Sequence, residues 1–172
     1  MSVIILETTK KKLVKGARPL LHYFILHAMV NVIFIPFFII KNQPFAILLI
    51  NILLFYGTIR SLKIYKNYRK FSIGKKFAIT NDSLALIINE KKCKEINFFD
   101  IETIEIITGE GSRGGPWGIL GYFRFIDKHD NWIVITCFTA EITASALKKL
   151  LPNDLVKRAV LKIQSFPIIK PC

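Results

Sequence analysis

The residues best placed to do chemistry lie at positions 109–118, "GEGSRGGPWG", where Gly109, Gly111 and Gly114 fit the G-x-G-x-x-G spacing of phosphate-binding loops. Such glycines let backbone amides approach a pyrophosphate, but the dinucleotide fingerprint needs a strand before the loop and a helix after it. Here "GYFRFI" follows, with Phe123 and Phe125 alternating as on a strand. A Walker loop ends in Lys-Ser/Thr, and a kinase glycine loop needs H-R-D and D-F-G elements downstream. The sequence contains neither. The stretch reads as a long hairpin loop, in which Arg113 and Trp117 supply a cation and an aromatic of the kinds enriched in recognition hot spots.

The other reactive side chains are scattered. His22, His27 and His129 stand apart from any candidate nucleophile, and Glu102 and Glu105, three apart, face opposite ways on a strand. Cys93, Cys137 and Cys172 are widely spaced, with no histidine in a C-x-x-C or C…H arrangement. That supports neither a disulfide framework nor a zinc site. The expectation is a non-enzymatic chain with no catalytic residue, no metal and no cofactor.

The elements that must position these residues begin with the charge. The 172-residue chain carries a net +13, but residues 1–76 hold 13 Lys/Arg against one acid, Glu7, while residues 77–172 hold 12 against 11. A nucleic-acid-binding domain needs its own basic footprint to displace phosphate counterions, so the nearly neutral C-terminal part speaks against nucleic acid. The basic residues instead flank apolar runs. Leu20–Ile40 is 21 residues without a formal charge, about one hydrocarbon core in length as a helix. After "KNQP" at 41–44 comes "FAILLINILLFYGTI" at 45–59, extended to residue 62 if Arg60 and Lys63 snorkel. A transmembrane helical hairpin is predicted at 20–62, with helices at about 20–40 and 45–62.

Lys10, Lys11, Lys12, Lys15 and Arg18 precede the first helix, and Arg60, Lys63, Lys66, Arg69, Lys70, Lys75 and Lys76 follow the second, whereas the connecting loop has only Lys41. The positive-inside rule puts both termini in the cytoplasm, in a multi-pass protein of the inner (cytoplasmic) membrane. The ten flanking residues from Lys10 to Lys70 are the candidate anionic-lipid contacts, each attracting such lipid by about 1 kcal/mol when well placed. His22, His27, Asn31 and Asn51 are polar positions inside the predicted bilayer. An Asn31 to Asn51 hydrogen bond between the helices is the expected packing role, and His27, Asn31 and Asn51 together form a candidate interaction face.

From Phe77 the pattern changes to short alternating runs, "KFAIT", "LALII", "CKEIN", "IETIEIIT", "GYFRFI" and "WIVITCF", joined by turn residues. They read as six strands in an antiparallel meander. Thr139 is the expected N-cap of a following helix with Glu141 in its first turn. Pro152 ends that helix, and a second one is predicted from Asn153 or Asp154, carrying Leu155, Ala159 and Ile163 opposite Lys157, Arg158 and Lys162.

Two segments carry a resemblance. Thr80, Asn81, Asp82 and Leu84 lead out of the opening strand, and "FFDIETI", with Phe99, Asp100, Ile101 and Ile104, enters a central one. Over about residues 20–151 the chain resembles the small bacterial pleckstrin-homology-like (PH-like) domains that follow a two-helix membrane hairpin. That fold has seven strands where six are visible here, and it does not require the second C-terminal helix. The likeness implies an α+β membrane protein, in which the hairpin is followed by a PH-like antiparallel sheet or partial barrel capped by C-terminal helices. Family members use the domain to bind proteins or lipids.

The expected organisation is a basic cytoplasmic N-terminus at 1–19, the hairpin at 20–62, a basic juxtamembrane linker at 63–76, the PH-like domain with its helices at 77–165 and a tail at 166–172. The expected function is a membrane-anchored interaction module at the cytoplasmic face. Its partners would be membrane lipids, a protein partner and no nucleic acid, and a homo-oligomer is compatible with the sequence. The polar hairpin motivates an alternative, an immunity or exclusion protein that protects its cell from a membrane-active toxin. An isolated 75–172 fragment is expected to be soluble.

Overall fold

The structure, a computed structural model, describes residues 3–41, 44–109, 120–164 and 167–169. It is a mixed helix and sheet protein. Two long helices, α1 (Lys10–Ile40) and α2 (Pro44–Ser72), pack side by side. Thr9 opens α1 as its N-cap, its hydroxyl accepting the Lys12 N–H at 3.3 Å. Both helices are long and apolar enough to cross a membrane. Along the middle of the hairpin large apolar side chains such as Phe24, Met29, Val32, Leu53 and Phe55 are exposed. Gly57 lets the helices approach closely, since a Cβ there would lie 2.6 Å from Tyr23 Cε1.

Each helix runs roughly 45 Å at 1.5 Å per residue, well beyond a hydrocarbon core of about 30 Å. The region predicted as a linker at 63–76 is therefore mostly helix. Ile64, Tyr68 and Phe71 recur at helical spacing on the face turned to the sheets, while Lys63, Lys66, Arg69 and Lys70 are exposed on the other. Gly74, at φ 72°, then turns the chain out of the helix, a backbone conformation that favours glycine.

The predicted N-terminal flank supplies a strand as well, β1 (Ile4–Glu7). It pairs antiparallel with β2 (Lys75–Ile79), which pairs with β3 (Ser83–Ile88), which pairs with β4 (Lys91–Asn97). Asn89 and Glu90, both at positive φ, make the tight turn between β3 and β4. The second sheet has the order β7-β6-β5-β8, from β5 (Ile101–Gly109), β6 (Gly121–Asp127), β7 (Trp132–Thr136) and β8 (Ala159–Gln164). The six predicted strands are all present, with β1 and β8 added, but they do not form one meander: β4 and β5 fall in different sheets, parted by the short turn Phe98–Asp100.

The C-terminal part differs from expectation in three ways. Helix α3 (Ala144–Leu150) is capped by Thr143, whose hydroxyl accepts the Ala146 N–H at 3.1 Å. Thr139 is fully buried instead, held in a turn in which the Thr136 carbonyl accepts the N–H groups of Thr139 and Ala140, so Glu141 lies before the helix. The second helix, α4 (Asn153–Val156), is one turn long. Residues 159–164 then form β8, parallel to β5 in an otherwise antiparallel sheet. The cause is tertiary: the outer edge of β5 offers a row of N–H and C=O groups that must be paired. Val160 and Ile163 are β-branched and suit a strand.

In sheet two, strands β5, β6 and β7 are buried on both faces, while β8 is largely exposed. One face packs against sheet one, with Phe77, Leu84 and Ile96 meeting Ile104, Phe123 and Ile135, and Leu147 and Leu155 of the short helices close this core. The opposite face, carrying Ile107, Tyr122 and Val134, packs on Ile64 and Tyr68 of α2. The hairpin and the sheets thus share a buried cluster. An isolated 75–172 fragment would lack β1 and expose this second face, contrary to the expectation of a soluble domain.

Candidate interaction surfaces

Within the hairpin the polar residues satisfy one another, in a pattern different from the one expected. His27 Nε2 lies 2.9 Å from Asn51 Oδ1, joining the two helices. Asn31 Nδ2 donates to the His27 carbonyl one turn back at 2.7 Å, and Asn51 Nδ2 donates to the Ile47 carbonyl at 2.9 Å. The Asn31 to Asn51 bond is replaced because the contact of Tyr23 with Gly57 and the pair His27 with Asn51 fix the register of the hairpin. Asn31, one turn further along α1, is carried about 6 Å past Asn51. His22 is exposed on the outside of α1.

Where the helices leave the apolar zone, polar contacts tie them to the sheets. Ser72 Oγ is hydrogen-bonded with Thr136 Oγ1 and also donates to the Tyr68 carbonyl. Thr8 Oγ1 lies 3.0 Å from Thr139 Oγ1 and donates to the Ser72 carbonyl at 3.2 Å. The Lys12 ammonium donates to the Thr139 carbonyl. Residues 167–169 are held against α2: Tyr68 Oη donates to the Pro167 carbonyl at 2.7 Å, and the Asn67 side-chain amide both donates to and accepts from the backbone of Ile169 at 3.0 Å. Sequence reasoning placed Tyr68, with Tyr56 and Tyr65, near a headgroup interface and did not foresee the contacts of Asn67 and Tyr68 with the sheets and residues 167–169. The available signal was the helical spacing of Ile64, Tyr68 and Phe71 through a stretch rich in lysine and arginine.

The basic collar is largely free of the fold. Lys10, Lys11, Lys15, Arg18, Lys63, Lys66, Arg69 and Lys70 are exposed, and Lys12 and Arg60 are half-buried. A cavity of about 300 Å³ lies beside the first turns of α1, lined by Lys12, Lys15, Thr108, Gly121 and Glu141 among others. Gly16 closes its wall, where a Cβ would come within 2.0 Å of the Phe138 ring.

On the second sheet Glu105 is buried, and its carboxylate pairs with Arg124 at 3.4 Å and with Lys162. Strand alternation puts Glu105 on the face of β5 that carries Ile107, where Arg124 of β6 and Lys162 of β8 flank it. Such a half-enclosed network fixes the position of β8 more than it adds stability. At the tip between β6 and β7, Asp127 accepts the N–H groups of His129 and Asn131, each at 2.8 Å. Burial pushes the Asp127 carboxyl up, but these donors outweigh it and hold the group below its ordinary range.

Of the glycine stretch, Gly109 ends β5, and residues 110–118, with Arg113 and Trp117, lie outside the described residues. Among the described residues no three His, Cys, Asp or Glu side chains come together in a group that could hold a metal ion. Comparison with protein-family models, with curated proteins and with solved structures finds no match for this chain.

Proposed function

We propose that the protein is a non-enzymatic, membrane-anchored interaction module whose helical hairpin crosses the cytoplasmic membrane twice and holds a PH-like domain against the cytoplasmic face. The observation that carries this reading is the shared cluster of Ile64, Tyr68, Ile107, Tyr122, Val134 and Phe138. A domain joined to its anchor by packing has a fixed orientation, so it offers a partner the same surface at a set height above the lipid. The exposed lysines and arginines of the collar support the orientation, because they flank the helix ends that continue into the sheets and are absent from the far turn except for Lys41. Membrane lipids are then one partner class and a protein bound by the sheet domain the other.

The intramembrane polar residues give the immunity reading no added weight, since His27, Asn31 and Asn51 hydrogen-bond within the hairpin. Photocrosslinking separates the two readings. A photoreactive residue is placed either at Phe99, exposed between β4 and β5, or at Val32, exposed on α1. The module reading expects discrete protein adducts in native membranes from position 99. Adducts from position 32 alone would move the function into the bilayer and contradict it.

A further inference from the structure

Beneath the end of α2, where β2, β3 and β4 face β7, a groove of about 300 Å³ opens between the sheets. Its floor includes Phe77 and Leu86, and its rim carries Lys75 and Lys94 beside Phe71 and Trp132. Lys75 Nζ stands 4.8 Å from the Phe71 ring centre, and Lys94 Nζ stands 5.9 Å from that of Trp132. The Arg124 guanidinium approaches the same Trp132 ring at 5.9 Å. Among the described residues no Asp or Glu lines the groove. Among the described residues no carboxylate comes within 4.0 Å of either lysine. Partial burial, and then the neighbouring Lys70, hold the Lys75 ammonium below its ordinary range. Two partly desolvated, uncompensated cations over an apolar floor complement an anion with apolar neighbours.

The position of the groove selects among anions. Phe71 lies eleven residues beyond Arg60, about 17 Å further along the helix. The headgroup layer adds only about 5–8 Å to each side of the hydrocarbon core, so a lipid phosphate falls short of the groove, as it does of neighbouring Arg69 and Lys70 that were expected to contact lipid, and the anion must come from the aqueous side. Both β4 and β7 are edge strands of their sheets, and their unpaired backbone groups suit an extended chain better than a compact anion. From this geometry we infer that the groove docks an acidic, apolar-flanked segment of a partner polypeptide. The inference rests on the module reading and names the surface that reading would use.

The test uses the full-length protein in nanodiscs of zwitterionic lipid, with fluorescein-labelled hexapeptides alternating Glu with Leu, Phe or Trp, read by anisotropy. The expected result is saturable binding that weakens about tenfold in three ways: with Gln in place of Glu in the peptides, with the Lys75→Gln/Lys94→Gln variant, and on raising salt from about 0.05 to 0.5 M. Thermal unfolding of the variant checks that it remains folded. Four results would overturn the inference: no saturable binding of any Glu peptide, equal binding of Glu and Gln peptides, undiminished binding by the double variant, or binding only when the nanodisc carries anionic lipid. Adducts from position 99 that persist while the peptides fail would leave the module standing and remove the groove as its docking site.

Discussion

Removing the Tyr68 ring should separate the hairpin from the sheets. The side chain is fully buried, with the Tyr122 and Phe138 rings 5.9 and 5.8 Å away centre to centre, and its hydroxyl holds the Pro167 carbonyl. Truncating a buried aromatic to alanine costs about 3–5 kcal/mol. For a chain of this size about 1 kcal/mol shifts Tm by roughly 2–4 °C, so Tyr68→Ala should lower Tm by about 6–20 °C. Tyr68→Phe keeps the ring and loses only the hydrogen bond, about 1 kcal/mol or roughly 2–4 °C. The assay is thermal unfolding of the full-length protein in detergent, followed by near-ultraviolet circular dichroism, with exposed Lys66→Ala as the control. If Tyr68→Ala moves Tm no more than Lys66→Ala does, the helices and sheets are not joined through this cluster and the reasoning fails.

Other positions test separate parts of the structure. Gly16→Ala gains up to about 1 kcal/mol of helix propensity but forces a methyl into the buried Phe138 ring, and overpacking of this kind costs about 1–3 kcal/mol. The expected outcome is a lowered Tm, and a raised one would show that the ring gives way freely. Asn51→Leu deprives His27 of its partner across the hairpin, a bond worth about 1 kcal/mol; a small loss of Tm is expected, and it should not add to the loss from His27→Leu in a double-mutant cycle. Asp127 has its native carboxyl held below the ordinary range, so the stabilisation from its charged form is complete above the unfolded carboxyl's pKa and is lost as pH falls through the native one. The Tm gap between the native protein and Asp127→Asn should therefore narrow as pH drops from 7 through the acidic range, and a gap independent of pH would contradict the assignment.

The two long helices were legible because an uncharged run of 21 residues admits few alternatives, and strands β2 to β7 because their apolar residues alternate with period two. What the sequence left open depended on distant partners. Residues 159–163 fit a helical stripe through Leu155, Ala159 and Ile163 as well as a strand, and the open edge of β5 decided between them. Ile4–Glu7 is too short to signal a strand until β2 provides a neighbour. Thr139 and Thr143 are equally good caps in isolation, and the buried hydroxyl contact with Thr8 leaves only Thr143 for the helix. At the candidate sites the basic collar could be read from composition, because charge alone defines it. The His27 to Asn51 pair could not, since a shift of one helical turn changes which polar residues meet. The groove at Lys75 and Lys94 joins residues from α2 and both sheets that no local pattern links.

The central claim, that the sheets sit on the cytoplasmic side of a membrane crossed twice, is tested most directly by thiol labelling in intact bacterial cells. With Cys137 and Cys172 changed to Ser, one variant keeps exposed Cys93 as its single thiol, and a second replaces Cys93 with Ser and carries Lys41→Cys in the far turn. A membrane-impermeant maleimide should label the thiol at position 41 in intact cells and Cys93 only after lysis. Labelling of Cys93 in intact cells, or protection of position 41, would contradict the account.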